Sequence, residues 1–160
     1  MDNKLLGLFY AIATMLLAIV LESLEIIWGG WSWLAPSWIL VMLLFWVNDK
    51  GGLFGIIMAW IFGILVDVWT GAPLGQNALL FIIASFIITF MYKDFRLVEP
   101  PAQALLIMSI VFAYKVLSDI LSSRMVTLLD LSTLSYLGTG ITSSIVWLIL
   151  VLSFNKKVIQ

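Results

Sequence analysis

Polar residues along this chain gather in a few short clusters, and the blocks between them stay apolar for longer than a buried core helix requires. Six blocks read as spanning helices, at 5–27, 33–48, 52–69, 76–92, 101–121 and 134–154, because about 20 residues are needed to cross the hydrocarbon core. The second is short for a span, and it carries Pro36 in its first turn, where a missing N–H is tolerated. Breaks at 28–32, 48–52, 70–75, 93–100 and 122–133 mark the turns, since Gly, Pro and polar residues interrupt helices that must otherwise satisfy their own backbone in lipid. Within 122–135, Met125, Leu128 and Leu129 have helical spacing, which predicts a short helix lying on the membrane surface.

Composition supports the same solvent. At 63% hydrophobic and 11% charged, with a mean hydropathy of +1.15, the 160 residues have too little polar surface to cover a water-soluble globule. The expected fold is an all-α integral membrane protein, a single transmembrane domain over residues 1–160. Cysteine and histidine are both absent, which excludes disulfides, thiol nucleophiles, histidine-ligated metals and Ser-His catalysis. A net charge of −1 provides no basic stripe for phosphates, so nucleic acid is not an expected partner. No cofactor or metal is implied.

Basic residues set the orientation. With the N-terminus inside, Lys4, Lys50, Lys93, Arg96, Lys156 and Lys157 fall on the cytoplasmic side and only Arg124 falls outside. Both termini are therefore expected in the cytoplasm. Trp28, Trp31, Trp33, Trp38 and Trp69 then cluster at the outer boundary, where indoles anchor at headgroup level.

A charge inside a span costs about 2.5–3.5 kcal/mol even on lenient insertion scales, so such residues are functional suspects. Glu22, Glu25, Asp67, Lys115 and Asp119 qualify, all in the outer halves of their helices. Glu22 and Glu25 share one face of the first helix, and Lys115 and Asp119 share one face of the fifth. The plain alternative is that the acids snorkel to water at the headgroups, or that Lys115 and an acid form a structural ion pair.

The third helix carries Gly55, Ala59, Gly63, Asp67 and Gly71 at every fourth position, a small-residue ridge that admits another backbone closely. The ridge ends in "VDVWTGAPLG", residues 66–75. Pro73 restricts φ there, while Gly71 and Gly75 permit left-handed angles, which predicts a rigid outward-facing turn. Gln76 and Asn77 follow with side chains able to cap the fourth helix. Asp67 is expected to pair with Lys115 across the helix contact, and Gly55, Gly63, Asp67, Gly71, Pro73, Gly75, Lys115 and Asp119 make up the candidate packing and docking element.

The stretch "GIIMAWIFGILVDVWTGAPLGQNAL", Gly55 to Leu79, resembles the signature region of the bacterial rod shape-determining protein MreD family, with its D-x-x-x-G-x-P-L-G motif. "APSWILVMLLFWV", Ala35 to Val47, is similar to that family's Pro-x-Trp start of the second helix. Length and helix count match along the whole chain, whereas Lys115 and the glutamates of the first helix depart from the pattern. The resemblance implies a non-catalytic component of the elongation machinery of the lateral cell wall, located in the bacterial inner membrane. Its implied partners are MreC, a single-span periplasmic protein, then MreB, RodA and a penicillin-binding transpeptidase. It also implies a fold similar to the six-helix substrate-binding subunits of energy-coupling-factor vitamin transporters, a likeness that by itself licenses no substrate.

Two rivals belong to other classes. A vitamin-binding transporter subunit would use aromatics such as Trp31, Trp33 and Trp69 to line a pocket. An intramembrane aspartyl protease would need Asp67 and Asp119 to face each other and share a proton, and neither lies in a motif associated with that chemistry.

Overall fold

A computed structural model describes residues 3–24, 34–50, 52–91, 97–122 and 132–155. Among them the chain is all helical: α1 (Asn3–Leu24), α2 (Trp38–Lys50), α3 (Gly52–Thr70), α4 (Gln76–Phe90), α5 (Pro100–Leu121) and α6 (Ser132–Asn155). The helices α1, α3, α5 and α6 contain segments long and apolar enough to cross a membrane, whereas the apolar stretches of α2 and α4 are shorter, Trp38–Asp49 and Gln76–Phe90. The chain is thus a multi-pass membrane protein.

The expected second span starts too early. Residues 35–37 are not helical, and α2 begins two residues beyond Pro36. The physical reason is that proline's ring disfavours the α region for the residue before it, so Ala35 stays out of the helix and Ser37 takes the flanking position. At α5 the prolines act differently. Pro100 and Pro101 occupy the first turn, where no N–H is missed, and the Glu99 carbonyl accepts from Ala102 and Gln103 at 3.0 and 3.1 Å.

The two short helices form the middle of the bundle. On α2, Leu40, Val41, Leu43, Leu44 and Val47 are fully buried, and this helix packs against α1, α3, α4 and α6. The other packed pairs are α3 with α4, α5 with α6, and α4 with α5. Trp147 of α6 and Phe81 of α4 complete the core, with Phe45 edge-on to Trp147 at 6.4 Å. Outward-facing Leu, Ile and Phe side chains on the longer helices are exposed, as surfaces facing lipid should be, because association in a bilayer relies on packing and hydrogen bonds rather than on hiding apolar area.

A short helix at the centre has a consequence at its ends. At 1.5 Å per residue, the 13 residues of α2 extend about 20 Å, less than the ~30 Å hydrocarbon core. Its first N–H groups, and those of α4, need acceptors supplied by neighbouring helices. Those acceptors are Glu22 of α1 and Asp67 of α3.

The surface helix expected around 125–129, Glu25, Trp28, Trp31, Trp33 and the basic residues Lys93, Arg96, Arg124, Lys156 and Lys157 lie outside the described residues.

Candidate functional site

The turn between α3 and α4 is closed by one residue. Asp67 is fully buried, and its backbone carbonyl accepts the Ala72 N–H at 3.1 Å while Gly71 adopts φ 67°. This is the six-to-one bond and left-handed residue of a Schellman ending, and Pro73 then prevents the helix from resuming. The Pro73 carbonyl accepts from Gln76 at 3.0 Å, with Gly75 at φ 94°, ψ −10°, the third position of a type II turn, which requires positive φ. Gly75 is also the residue that precedes α4, and having no side chain it cannot cap that helix. Asp67 does so from the neighbouring helix: the Gly75 and Asn77 N–H groups donate to its Oδ2 and Oδ1, both at 2.8 Å. The same residue therefore ends one helix and starts the next, and its carboxylate sits at the positive end of the α4 dipole.

Glu22 performs the equivalent task for α2. The Ile39 N–H donates to its Oε2 at 3.0 Å. The Ser37 N–H donates to Ser143 Oγ of α6 at 3.0 Å, which supplies a partner for a further backbone donor at that helix start.

The ridge of α3 divides into two contacts. A Cβ at Gly63 would lie 2.3 Å from Ala78 Cα and 2.6 Å from Ala78 N, so α4 passes with backbone against backbone. A Cβ at Gly55 would first meet the Val47 side chain of α2, at 2.9 Å. Ala59 is fully buried between them, whereas Gly71, Pro73, Leu74 and Gly75 are exposed.

Beside the turn lies a cavity of about 660 Å³. Its polar wall includes Glu22, Gln76, Asn77, Lys115, Ser118 and Asp119. Gln76 Nε2 donates to Ser118 O at 3.0 Å and to Ser122 Oγ at 2.8 Å, tying α4 to α5, and Tyr114 OH donates to Asn77 Oδ1 at 2.7 Å. Tyr136 OH of α6 donates to Asp119 Oδ2. The Lys115 charge acts on Glu22 across this space.

Several expectations for these residues change. Among the described residues no ion pair joins Asp67 to Lys115, because both carboxylate oxygens are directed to the α4 backbone. Gln76 and Asn77 do not cap their own helix; their side chains reach α5 instead. Asp67 and Asp119 share no hydrogen bond, the former being held by backbone and the latter by Tyr136. Gly71, Pro73, Lys115 and Asp119 do come together around one cavity, while Gly55 lies toward the other end of α3. Among the described residues no cluster of acids could hold a metal ion. The capping role of Glu22 and the contribution of Tyr114 had no local sequence signal, since their partners lie 17 and 37 residues away.

The family model of the rod shape-determining protein MreD matches residues 2–157. No curated protein and no solved structure matched the chain.

Proposed function

The chain belongs to the MreD family of rod shape-determining proteins, and from that membership we propose that it is a non-catalytic scaffold of the cell-elongation complex in the bacterial inner membrane. Its role lies in the determination of rod shape. In the proposed arrangement it holds MreC directly, and through MreC it connects with MreB, RodA and a penicillin-binding transpeptidase to direct lateral peptidoglycan synthesis. The observation that carries this reading is the α3–α4 turn. Buried Asp67 fixes its backbone from beneath, while Pro73, Leu74 and Gly75 stand exposed above, Leu74 at 75%. A rigid turn with an exposed apolar side chain loses little entropy on docking. The distribution of basic residues, with both termini cytoplasmic, supports a periplasmic position for the turn, on the side where MreC carries its soluble part.

The test is depletion combined with recovery. Cells losing the protein are expected to round up while septal wall synthesis continues, and a tagged copy is expected to recover MreC. Leu74→Asp should lower that recovery without lowering membrane abundance, because Leu74 leaves most of its surface open. Normal rods after complete loss, with a vitamin-uptake defect in their place, would favour a transporter-type binding subunit with the energy-coupling-factor fold, a reading supported by the cavity beside the turn.

A further inference from the structure

We propose that the cavity between α1, α4 and α5 is a binding site for a zwitterion bearing a primary ammonium and an anionic group, such as the phosphoethanolamine unit of a lipid headgroup or a free molecule of the same chemistry. This goes beyond the scaffold reading and does not rest on it.

The wall presents donors and acceptors that the protein leaves unused. Gln76 is 5% exposed, its Nε2 is committed to α5, and its Oε1 accepts no hydrogen bond. The amide orientation follows from the Ser118 carbonyl, which can only accept and so must meet the NH₂ group. Gln76 Oε1 is itself closed to solvent, so Gln76 forms a fixed wall of the cavity. Asp119 accepts from Tyr136 at Oδ2, and its other oxygen receives nothing from the described residues. Lys115, one helical turn away on the same face, makes no hydrogen bond or ion pair with any described residue.

These groups select by chemistry. A bare metal cation would meet no three-acid cluster among the described residues, and the nearby Lys115 would repel it. An anion alone would suit Lys115 but would face Asp119 and Glu22. A primary ammonium supplies three N–H donors, as a lysine ammonium does, and can donate to the Asp119 oxygen that Tyr136 leaves open. An attached phosphate or carboxylate then reaches Lys115 as a charge-assisted partner. Asp67 does not compete for the ligand, because backbone N–H groups occupy both its oxygens. A volume of about 660 Å³ lies within the ~300–1,000 Å³ typical of small-molecule sites. A quaternary ammonium, lacking N–H, could donate no hydrogen bond to Asp119 and should bind more weakly.

The experiment uses the full chain in nanodiscs of phosphatidylethanolamine, phosphatidylcholine and phosphatidylglycerol, with retained lipid identified by native mass spectrometry. Isothermal titration of soluble O-phosphoethanolamine is run in parallel on nanodiscs free of phosphatidylethanolamine. Preferential retention of phosphatidylethanolamine over phosphatidylcholine supports a lipid source, and binding of soluble O-phosphoethanolamine without lipid preference supports a free one. In either case Lys115→Gln and Asp119→Asn should each weaken binding at least about tenfold, with unchanged far-UV circular dichroism and gel-filtration profile. Equal retention of the lipids with no binding of O-phosphoethanolamine overturns the proposal. So does binding that both well-folded variants leave unaltered.

Discussion

Replacing Gly63 by alanine adds one methyl group, and its cost can be worked from the helix contact it would enter. The new carbon would sit 2.3 Å from Ala78 Cα. Restoring an ordinary carbon–carbon separation of about 3.5 Å requires α3 and α4 to part by about 1.2 Å. The obstacle is backbone, so no side-chain rotation can absorb it. Parting the helices also strains the Asp67 bonds to Gly75 and Asn77, now 2.8 Å, toward about 4 Å, beyond hydrogen-bond reach. Overpacking contributes about 1–3 kcal/mol, and loss of a helix cap about 0.5–2 kcal/mol more, giving an expected loss of about 1.5–5 kcal/mol. Gly55→Ala is the matched control. There the neighbour is the Val47 side chain at 2.9 Å, which can yield slightly, and the loss should stay below about 1.5 kcal/mol. The assay is equilibrium unfolding in mixed micelles, read by tryptophan fluorescence. Gly63→Ala within about 0.5 kcal/mol of the wild type, or Gly55→Ala the worse of the two, would refute the reasoning.

Asp67→Leu leaves the Gly75 and Asn77 N–H groups without their acceptor, at about 1–3 kcal/mol each, and adding Lys115→Leu should not restore stability, because Lys115 is not its partner; recovery in the double variant by the same unfolding assay would contradict the assignment. Gly75→Ala forces a Cβ into φ 94° and should cost about 1–2 kcal/mol although nothing lies near the added atom, a loss measurable as a lowered thermal midpoint. In a chain without native cysteine, a cysteine at position 70 is expected to label from the periplasm and one at position 48 only after permeabilisation; labelling of both from the same side would refute the proposed topology.

How much of this was legible beforehand depended on whether the determining partner was local. Helix positions followed from uninterrupted apolar runs, and the α3–α4 turn from Gly71, Pro73 and Gly75, whose backbone preferences act within a few residues. The close approach at Gly63 was also visible, because small-residue spacing is a one-helix pattern. The start of α2 falls later than the apolar pattern predicts, because Pro36 restricts Ala35 rather than serving in the first turn. The partner of Asp67 differs from the one its charge predicts for another reason. Opposite charge made Lys115 the obvious partner, but a backbone N–H pair eight and ten residues along the chain lay closer, and Gly75 had left that helix start without a cap of its own. Glu22 is costly in a span on sequence grounds alone, yet nothing near it in sequence indicates the α2 backbone as the recipient.

Those two acids share one explanation. A helix that spans the bilayer has its free N–H groups near water, where they need nothing further. The central helices α2 and α4 are too short for that, and their starts take acceptors from the longer helices beside them: Glu22 and Ser143 for α2, Asp67 for α4. An unpaired N–H there would cost several kcal/mol. A neutral hydroxyl could answer one such donor; a carboxyl group with two oxygens answers two, and the helix dipole offsets part of the cost of placing it in the membrane. The acid and the short helix are thus each acceptable because of the other. This explains why Glu22 and Asp67 occur inside spans without any need for catalysis. It also separates them from Lys115 and Asp119, which cap no helix start among the described residues and which line the cavity.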